Sequence, residues 1–458
     1  MSAPHANPPA RPLTRASIFA QAWPIMLGQA SVPLVGIVDT AVIGRTGDST
    51  ALAGVALGAS IVMLVFWAFG FLRMGMTGLT AQAQGSGERG EVEALLLRAL
   101  VIGLVLGLLL LALQWPIRQA ALAIMAGGPS VDGEASGYMS GRFLGAPATL
   151  AVYAINGWLL GLGRTREALA LQIAMNVANI GLDVGFVWGL GMGAYGVGLG
   201  TACAEGAALV LGLWLVGRVA GANVLAMIVR TPRNLLLDRA RLARLFAVNR
   251  DIMIRTIALL ALMTWFANGG ARQGATTLAA NHVLLQFVSV SAFILDAFAF
   301  TAEERVGSAI GHNDKARFLR AIRLTGEFSL ASGAVLALIF LLLGGLVIDL
   351  IATDPEVRRT ALTFLPFAAA IPLIGMPSWM LDGIFIGASY GRALRNAALA
   401  ATALYIALDL ALRPFGNWGV WIAMSTSYLL RAGALAVYFP RLLKDMESPA
   451  DKDTSQTA

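Results

Sequence analysis

Residues 94–115 read ALLLRALVIGLVLGLLLLALQW, an apolar run of 22 residues broken by one charge, Arg98. An α-helix rises about 1.5 Å per residue, so roughly 20 such residues cross a hydrocarbon layer of about 30 Å. A run this uniform has no polar face to offer water. The pattern recurs along the whole chain: of 458 residues 57% are hydrophobic and 13% charged, about half the roughly 25% of an ordinary soluble domain, which excludes that class. The 51 glycines and 17 prolines fit a helical membrane protein, where glycine admits close helix contact and neighbours re-satisfy the backbone at proline. The single Cys203 excludes a disulfide framework or a Cys-rich metal site. A net charge of +7 would suggest nucleic acid in a soluble domain, but the arginines and lysines sit in loops, and no nucleic-acid partner is expected.

Apolar runs bounded by Gly, Pro and charge predict spans near 17–42, 51–76, 94–115, 136–160, 168–190 and 195–217, then near 250–271, 277–301, 319–348, 357–381, 394–412 and 419–439. The fold class is therefore all-α and polytopic, with twelve transmembrane helices in two pseudo-symmetric six-helix lobes, 16–217 and 250–440. Residues 1–15 show no cleavable signal peptide and are expected to be a disordered cytoplasmic N-terminus, with 441–458 a cytoplasmic tail. The connector 218–249 carries Arg230, Arg233, Arg239, Arg241 and Arg244 against Asp238, which places it and both termini on the cytoplasmic side of a bacterial inner membrane. Leu235, Leu236, Ala240, Leu242, Leu245 and Phe246 recur at helical spacing there and predict an amphipathic helix on the membrane surface.

The two series are copies. A shift of 226 residues lays Gln82-Ala83-Gln84-Gly85-Ser86-Gly87-Glu88-Arg89 on Ser308-Ala309-Ile310-Gly311-His312-Asn313-Asp314-Lys315 without a gap. The same shift brings Asn156-Gly157 onto Asp382-Gly383, Asp183 onto Asp409 and Asp39 onto Trp265; a three-residue deletion later brings Tyr195-Gly196-Val197 onto Trp418-Gly419-Val420. With six spans each, the halves are repeats of parallel topology, an arrangement that carriers use for alternating access. The plain alternative is a duplicated scaffold.

Trp23-Pro24-Ile25-Met26 through Val38-Asp39-Thr40-Ala41-Val42-Ile43-Gly44, then Leu52-Ala53-Gly54-Val55-Ala56-Leu57-Gly58, resembles the start of the multidrug and toxic compound extrusion (MATE) family. Asn156-Gly157-Trp158-Leu159-Leu160-Gly161 and Ala194-Tyr195-Gly196-Val197-Gly198-Leu199-Gly200-Thr201 carry the same resemblance. Asp39, Asn179, Asp183 and Thr201 stand in the pattern of its DinF-like branch. The resemblance implies two six-helix lobes around a cleft and cation-driven, monomeric efflux of small amphipathic, often cationic, organic compounds across the lipid bilayer. It implies no cofactor beyond a proton or sodium gradient.

An isolated carboxylate in a membrane helix must be paired, protonated or wet. Asp39, near the outer end of the first span, meets that description, and Pro24 and Pro33 make its helix bendable. Its bland alternative is an interfacial acid paired with Arg45. Gln172, Asn176, Asn179 and Asp183, spaced four, three and four apart, make one face of the fifth span polar, and that face must turn away from lipid. Asp39, Asp183, Asn179, Thr201, Asn176 and Asn156 are the expected ion-coupling residues, although topology puts Asn156 near the inner end of its span. Asp39, Asn179, Asp183 and Thr201 would be the ligands were the ion sodium; no other metal site is expected. Asp409 is expected to be neutralised by Arg413 four residues on. Asp296 and Asp382 lack such local partners and are candidate cavity acids, with Met63 and Trp67 as candidate apolar cavity wall. Glu303, Glu304 and Arg305 read as a solvated cap.

An intramembrane enzyme would need a nucleophile and base or metal ligands at depth, but of His5, His282 and His312 only His282 falls within a span, and no hydrolase or Walker motif occurs. Nothing resembles a channel filter. A flippase for lipid-linked substrates would need cavity cations, for which Arg73, Arg142 and Arg431 are the candidates.

Overall fold

The computed structural model describes residues 13–125 and 127–447, with Leu34 lacking a described side chain, so most of the expected disordered N-terminus and cytoplasmic tail lies outside the described residues. Among the described residues every regular element is helical. The first half comprises α1 (Arg15–Gly44), α2 (Ser49–Ala68), α3 (Phe71–Gly85), α4 (Arg89–Ala112), the short α5 (Gln114–Met125), α6 (Pro129–Phe143), α7 (Ala146–Gly161), α8 (Thr165–Val184) and α9 (Gly193–Ala220). The connector forms α10 (Val224–Arg230) and α11 (Arg233–Leu236). The second half comprises α12 (Arg239–Ala271), α13 (Ala275–Gly311), α14 (Lys315–Ile351), α15 (Pro355–Gly387), α16 (Gly391–Leu412), α17 (Asn417–Ala436) and α18 (Phe439–Asp445). Counting α2 and α3 as one crossing, ten helices among the described residues are long and apolar enough to span a membrane, and α6 with α7, bent by 53°, makes an eleventh. Helix α12 takes the remaining place in the series.

The helices outrun their apolar segments. α13 and α14 each have 37 residues, about 55 Å of helix, because hydropathy marks only the lipid-immersed stretch while the backbone ladder continues into amphipathic ends. This corrects two expectations. Glu303, Glu304 and Arg305 are not a solvated cap: α13 runs two more turns past them, all three are buried, and Gln21 donates to Glu304 at 2.8 Å. The connector has no separate amphipathic helix over 235–246 either. α11 ends at Leu236, Asp238 accepts from the Arg241 backbone at 2.9 Å, and α12 starts at Arg239 and continues straight into the membrane segment. That bond holds the Asp238 carboxyl below its usual range.

Two compact units form. Among the described residues, one contains 13–26, 81–88 and 245–447; the other contains Leu27–Thr80 and Arg89–Arg244. Helix α1 thus changes unit between its two prolines, Pro24 and Pro33. The first unit is built around an aromatic core in which Phe266 meets Trp421 edge-on at 5.1 Å and Phe287 meets Phe340 at 5.0 Å.

The repeat is written into the backbone. Gly87 (φ 75°) and its mate Asn313 (φ 54°) both close a helix in the left-handed region, as do Gly163 (φ 68°) and Ser389 (φ 55°). A Cβ on Gly157 would lie 2.4 Å from the Arg73 carbonyl, and one on its mate Gly383 would lie 2.5 Å from the carbonyl of Ala299, the mate of Arg73. Gly85 and Gly311 meet reciprocally, each closing on the other's helix: a Cβ on Gly85 would sit 2.3 Å from the Ser308 carbonyl, and one on Gly311 2.2 Å from the Gln82 carbonyl.

Candidate ion-coupling site

The polar face of α8 turns inward, as its spacing requires. Gln172 donates to Asn176 at 3.0 Å, and Asn176 donates to the Ser31 carbonyl of α1 at 3.2 Å. One turn further, Asn179 donates to Asp183 Oδ2 and to Thr201 Oγ1 of α9, each at 3.0 Å, while the Thr201 hydroxyl returns to the Val197 carbonyl at 3.1 Å. Asn176, Asn179, Asp183 and Thr201 are all buried. Immediately past Asp183 the helix widens into a π turn over Gly185–Gly189, a distortion that recurs at functional sites. Trp188 in that turn donates to the Val42 carbonyl of α1 at 3.0 Å, and Arg45 lies over its ring at 5.9 Å, so Arg45 serves Trp188 and not Asp39.

Asp39, buried on α1, has Asp183, Tyr138 and Asn179 as its polar side-chain neighbours. Oδ1 of Asp39 and Oδ1 of Asp183 are buried without a protein donor. Two neighbouring carboxyls in a buried site disfavour double ionisation, so the pair is suited to hold one proton jointly. The packing around Asp183 leaves little slack. A Cβ on Gly200 of α9 would lie 2.1 Å from Asp183 Oδ1, and one on Gly198 would lie 2.1 Å from the Tyr138 carbonyl. These glycines let α9 close on α6 and α8 together.

One turn along α6 from Tyr138 stands Arg142. It grips Glu205 of α9 through two bonds of 2.5 and 2.6 Å, and Thr149 of α7 adds a third at 2.5 Å. The clamp is buried and bridges the break between α6 and α7; Gly145, in that break, has no side chain because Glu205 Oε2 occupies the space 2.6 Å from where a Cβ would be. Tyr138, Glu205 and Gly200 were missing from the sequence reading. Glu205 had a signal, being the lone acid of the span 195–217; Tyr138 and Gly200 had none without the contacts.

The second half provides an internal control. Trp265 and Asp409, the repeat mates of Asp39 and Asp183, also meet: the Trp265 indole donates to Asp409 Oδ2 at 2.8 Å. Arg272 donates to the same oxygen at 2.8 Å. Asp409 is thus neutralised by Arg272, just past the end of α12, and not by Arg413 as expected; Arg413 caps α16 where it gives way to a 3-10 turn. Asp382 likewise is no unpaired cavity acid. It binds Arg255 of α12 directly and lies 3.6 Å from Arg431 of α17, which also donates to Ser378 at 2.8 Å.

The remaining candidates are dispersed. Asn156 is half-buried on α7 and makes no hydrogen bond to the carboxyl pair; Asp296 is half-buried on α13; Pro24 is buried and Pro33 exposed within an unbroken α1. Met63 and Trp67 are exposed on α2. Among the described residues no three His, Cys, Asp or Glu gather as a metal cluster. Were sodium the ligand, Asn179, Asp39, Asp183 and Thr201 could supply oxygens. With its amide placed as found, however, Asn179 already donates to two of them.

A family model for MatE matches residues 24–184 and 253–410, once in each half. DNA damage-inducible protein F of Escherichia coli is 34% identical over 426 residues, 93% of this chain and 92% of that protein. Multidrug resistance protein PmpM of Pseudomonas aeruginosa is 28% identical over 380 residues, 79% of this chain and 78% of its own. The crystal structure of the MATE transporter VcmN of Vibrio cholerae in the bent form has a TM-score of 0.83 at 17% identity, covering 94% of this chain and 97% of that one.

Proposed function

The chain belongs to the MATE family, whose members are transporters and not enzymes, and from that premise we propose that it is a secondary active antiporter exporting amphipathic, often cationic, organic compounds in exchange for protons. The observation that carries the reading is the contrast between repeat mates. In the first half two acids, Asp39 and Asp183, are neighbours and the cation within reach, Arg142, is hydrogen-bonded to Glu205 instead; in the second the same two positions hold Trp265 and Asp409, with Arg272 bonded to the acid. Exchange of a proton needs a carboxyl free to gain and lose charge, and only the first pair has that freedom.

Protonation of the pair removes charge and rearranges the bonds of Asp39, Asp183, Asn179 and Thr201. Helix α1 is the element that can respond, because Pro24 and Pro33 each remove a ladder bond and Asn176 holds its Ser31 carbonyl from the side. Proton and substrate then compete for one conformational equilibrium, and the two halves alternate access. Sodium is the less supported ion because the Asn179 amide occupies two of its prospective ligands. A flippase role is not favoured: Arg142 and Arg431 face Glu205 and Asp382. We place the protein as a monomer in the bacterial inner membrane, both termini cytoplasmic. The test is transport in vesicles. Asp39→Asn and Asp183→Asn should abolish export driven by a pH gradient while substrate still binds, and Asp409→Asn should keep coupling at reduced stability. Equal transport loss in all three at normal expression would refute a mechanism confined to the first half.

A further inference from the structure

A cavity of about 780 Å³ opens between the first turn of α1 and the start of α14, lined by Thr14, Arg15, Leu319, Arg320, Arg323 and Glu327 among others. From its residues we propose that it binds the phosphate of an anionic phospholipid. Three guanidinium groups and one carboxylate line the cavity. Arg15 donates to Glu327 Oε2 through Nε at 3.0 Å and Nη2 at 2.9 Å, and Arg323 donates through Nε to Oε1 at 3.0 Å. Glu327 is therefore fully engaged, while Arg15 keeps Nη1 and Arg323 keeps both terminal nitrogens. Arg320 has no acidic partner among the described residues. The cavity carries a net charge of +2 with spare donors, which is what a phosphate monoanion or diester requires.

The depth selects a lipid. α14 is about 55 Å long against a hydrocarbon layer of about 30 Å, and its charged residues, Asp349 apart, gather in the N-terminal segment 315–327 ahead of the apolar stretch, so Arg320 and Arg323 fall at headgroup level. Along one stripe of α14, at spacings of three or four, the residues run Arg320, Arg323, Glu327, Leu330, Ala334 and Leu338. Leu330 and Leu338 are half exposed. On α1 the exposed Phe19 follows Arg15 by one turn, and its ring meets Phe328 of α14 at 6.1 Å. A charged mouth thus passes directly into an apolar furrow, matching a headgroup followed by an acyl chain. Basic pockets at the arginine-rich membrane face are recognised sites for such lipids. The claim does not depend on the transport reading.

The test uses the purified full-length protein in nanodiscs of phosphatidylcholine, with phosphatidylglycerol substituted for part of that lipid, or with millimolar inorganic phosphate added instead. The melting midpoint should rise by about 2–4 °C with phosphatidylglycerol, stay unchanged with phosphate, and lose the rise in Arg320→Ala and Arg323→Ala. Arg320→Ala is the decisive variant, since it breaks no ion pair. A rise with inorganic phosphate as well, also lost in Arg320→Ala, would support the phosphate site while assigning it to a soluble anion. No rise with either probe, or a rise that both variants retain, would overturn the proposal.

Discussion

Gly200→Ala is a single-methyl test of the carboxyl pair. The added Cβ would stand 2.1 Å from Asp183 Oδ1, where ordinary contact begins at 3.4 Å, so the oxygen must retreat by about 1.3 Å. The Asp183 backbone nitrogen, 3.1 Å from the same point, blocks an easy rigid shift of α9. Rotating the carboxyl away gives up the 3.0 Å bond from Asn179 and the contact with Asp39. Overpacking of this kind costs about 1–3 kcal/mol, and 1.4 kcal/mol is a factor of ten, so transport driven by a pH gradient should fall roughly 5- to 150-fold. The assay is gradient-driven export in vesicles beside thermal melting in detergent. Gly206→Ala on the same helix, with nothing within 4 Å of its Cβ, should melt no lower than the unmodified chain and transport normally. If Gly200→Ala also transports normally, the geometry assigned to Asp183 is wrong.

Further expectations concern the ion pairs and the repeat contact. Arg272→Gln strands Asp409 with only Trp265 and should cost about 2–4 kcal/mol, the lower end being favoured because Arg272 is 29% exposed; adding Asp409→Asn should restore part of it, and an unchanged melting curve in the single variant would contradict the pairing. Glu205→Gln should destabilise more than replacement of Arg142 and Glu205 together by methionine, since the single change leaves a buried cation, and a double-mutant cycle measures the coupling. Gly85→Val and Gly311→Val should each lower the yield of folded protein, because each side chain meets a carbonyl at the reciprocal contact; Gly433→Val, in open space, should not.

Hydropathy was enough for the number and order of spans because lipid forbids unsatisfied backbone, and helical spacing was enough for the inward face of α8, since its four polar residues share one side. The repeat could be read because its turns need particular residues, such as Gly87 and Asn313 at left-handed positions. What stayed hidden were partners set by three-dimensional packing. Asp409 and Arg272 are 137 residues apart, and nothing in either neighbourhood points to the other. The same holds for Asp382 with Arg255 and for Arg142 with Glu205. Helix ends past the lipid, as at Glu303 to Arg305, were misread because a charge near the end of an apolar run marks the membrane boundary and not the helix boundary.

The central claim is that the Asp39–Asp183 pair exchanges a proton for substrate. Its most direct measurement is uptake of a fluorescent organic cation into inverted membrane vesicles under an imposed acid-interior pH gradient without sodium, and separately under an imposed sodium gradient at equal pH. The account predicts accumulation under the pH gradient alone, lost in Asp39→Asn and Asp183→Asn. Full accumulation under the sodium gradient with none under the pH gradient would contradict it, and the same four oxygen-bearing residues would then have to be read as sodium ligands.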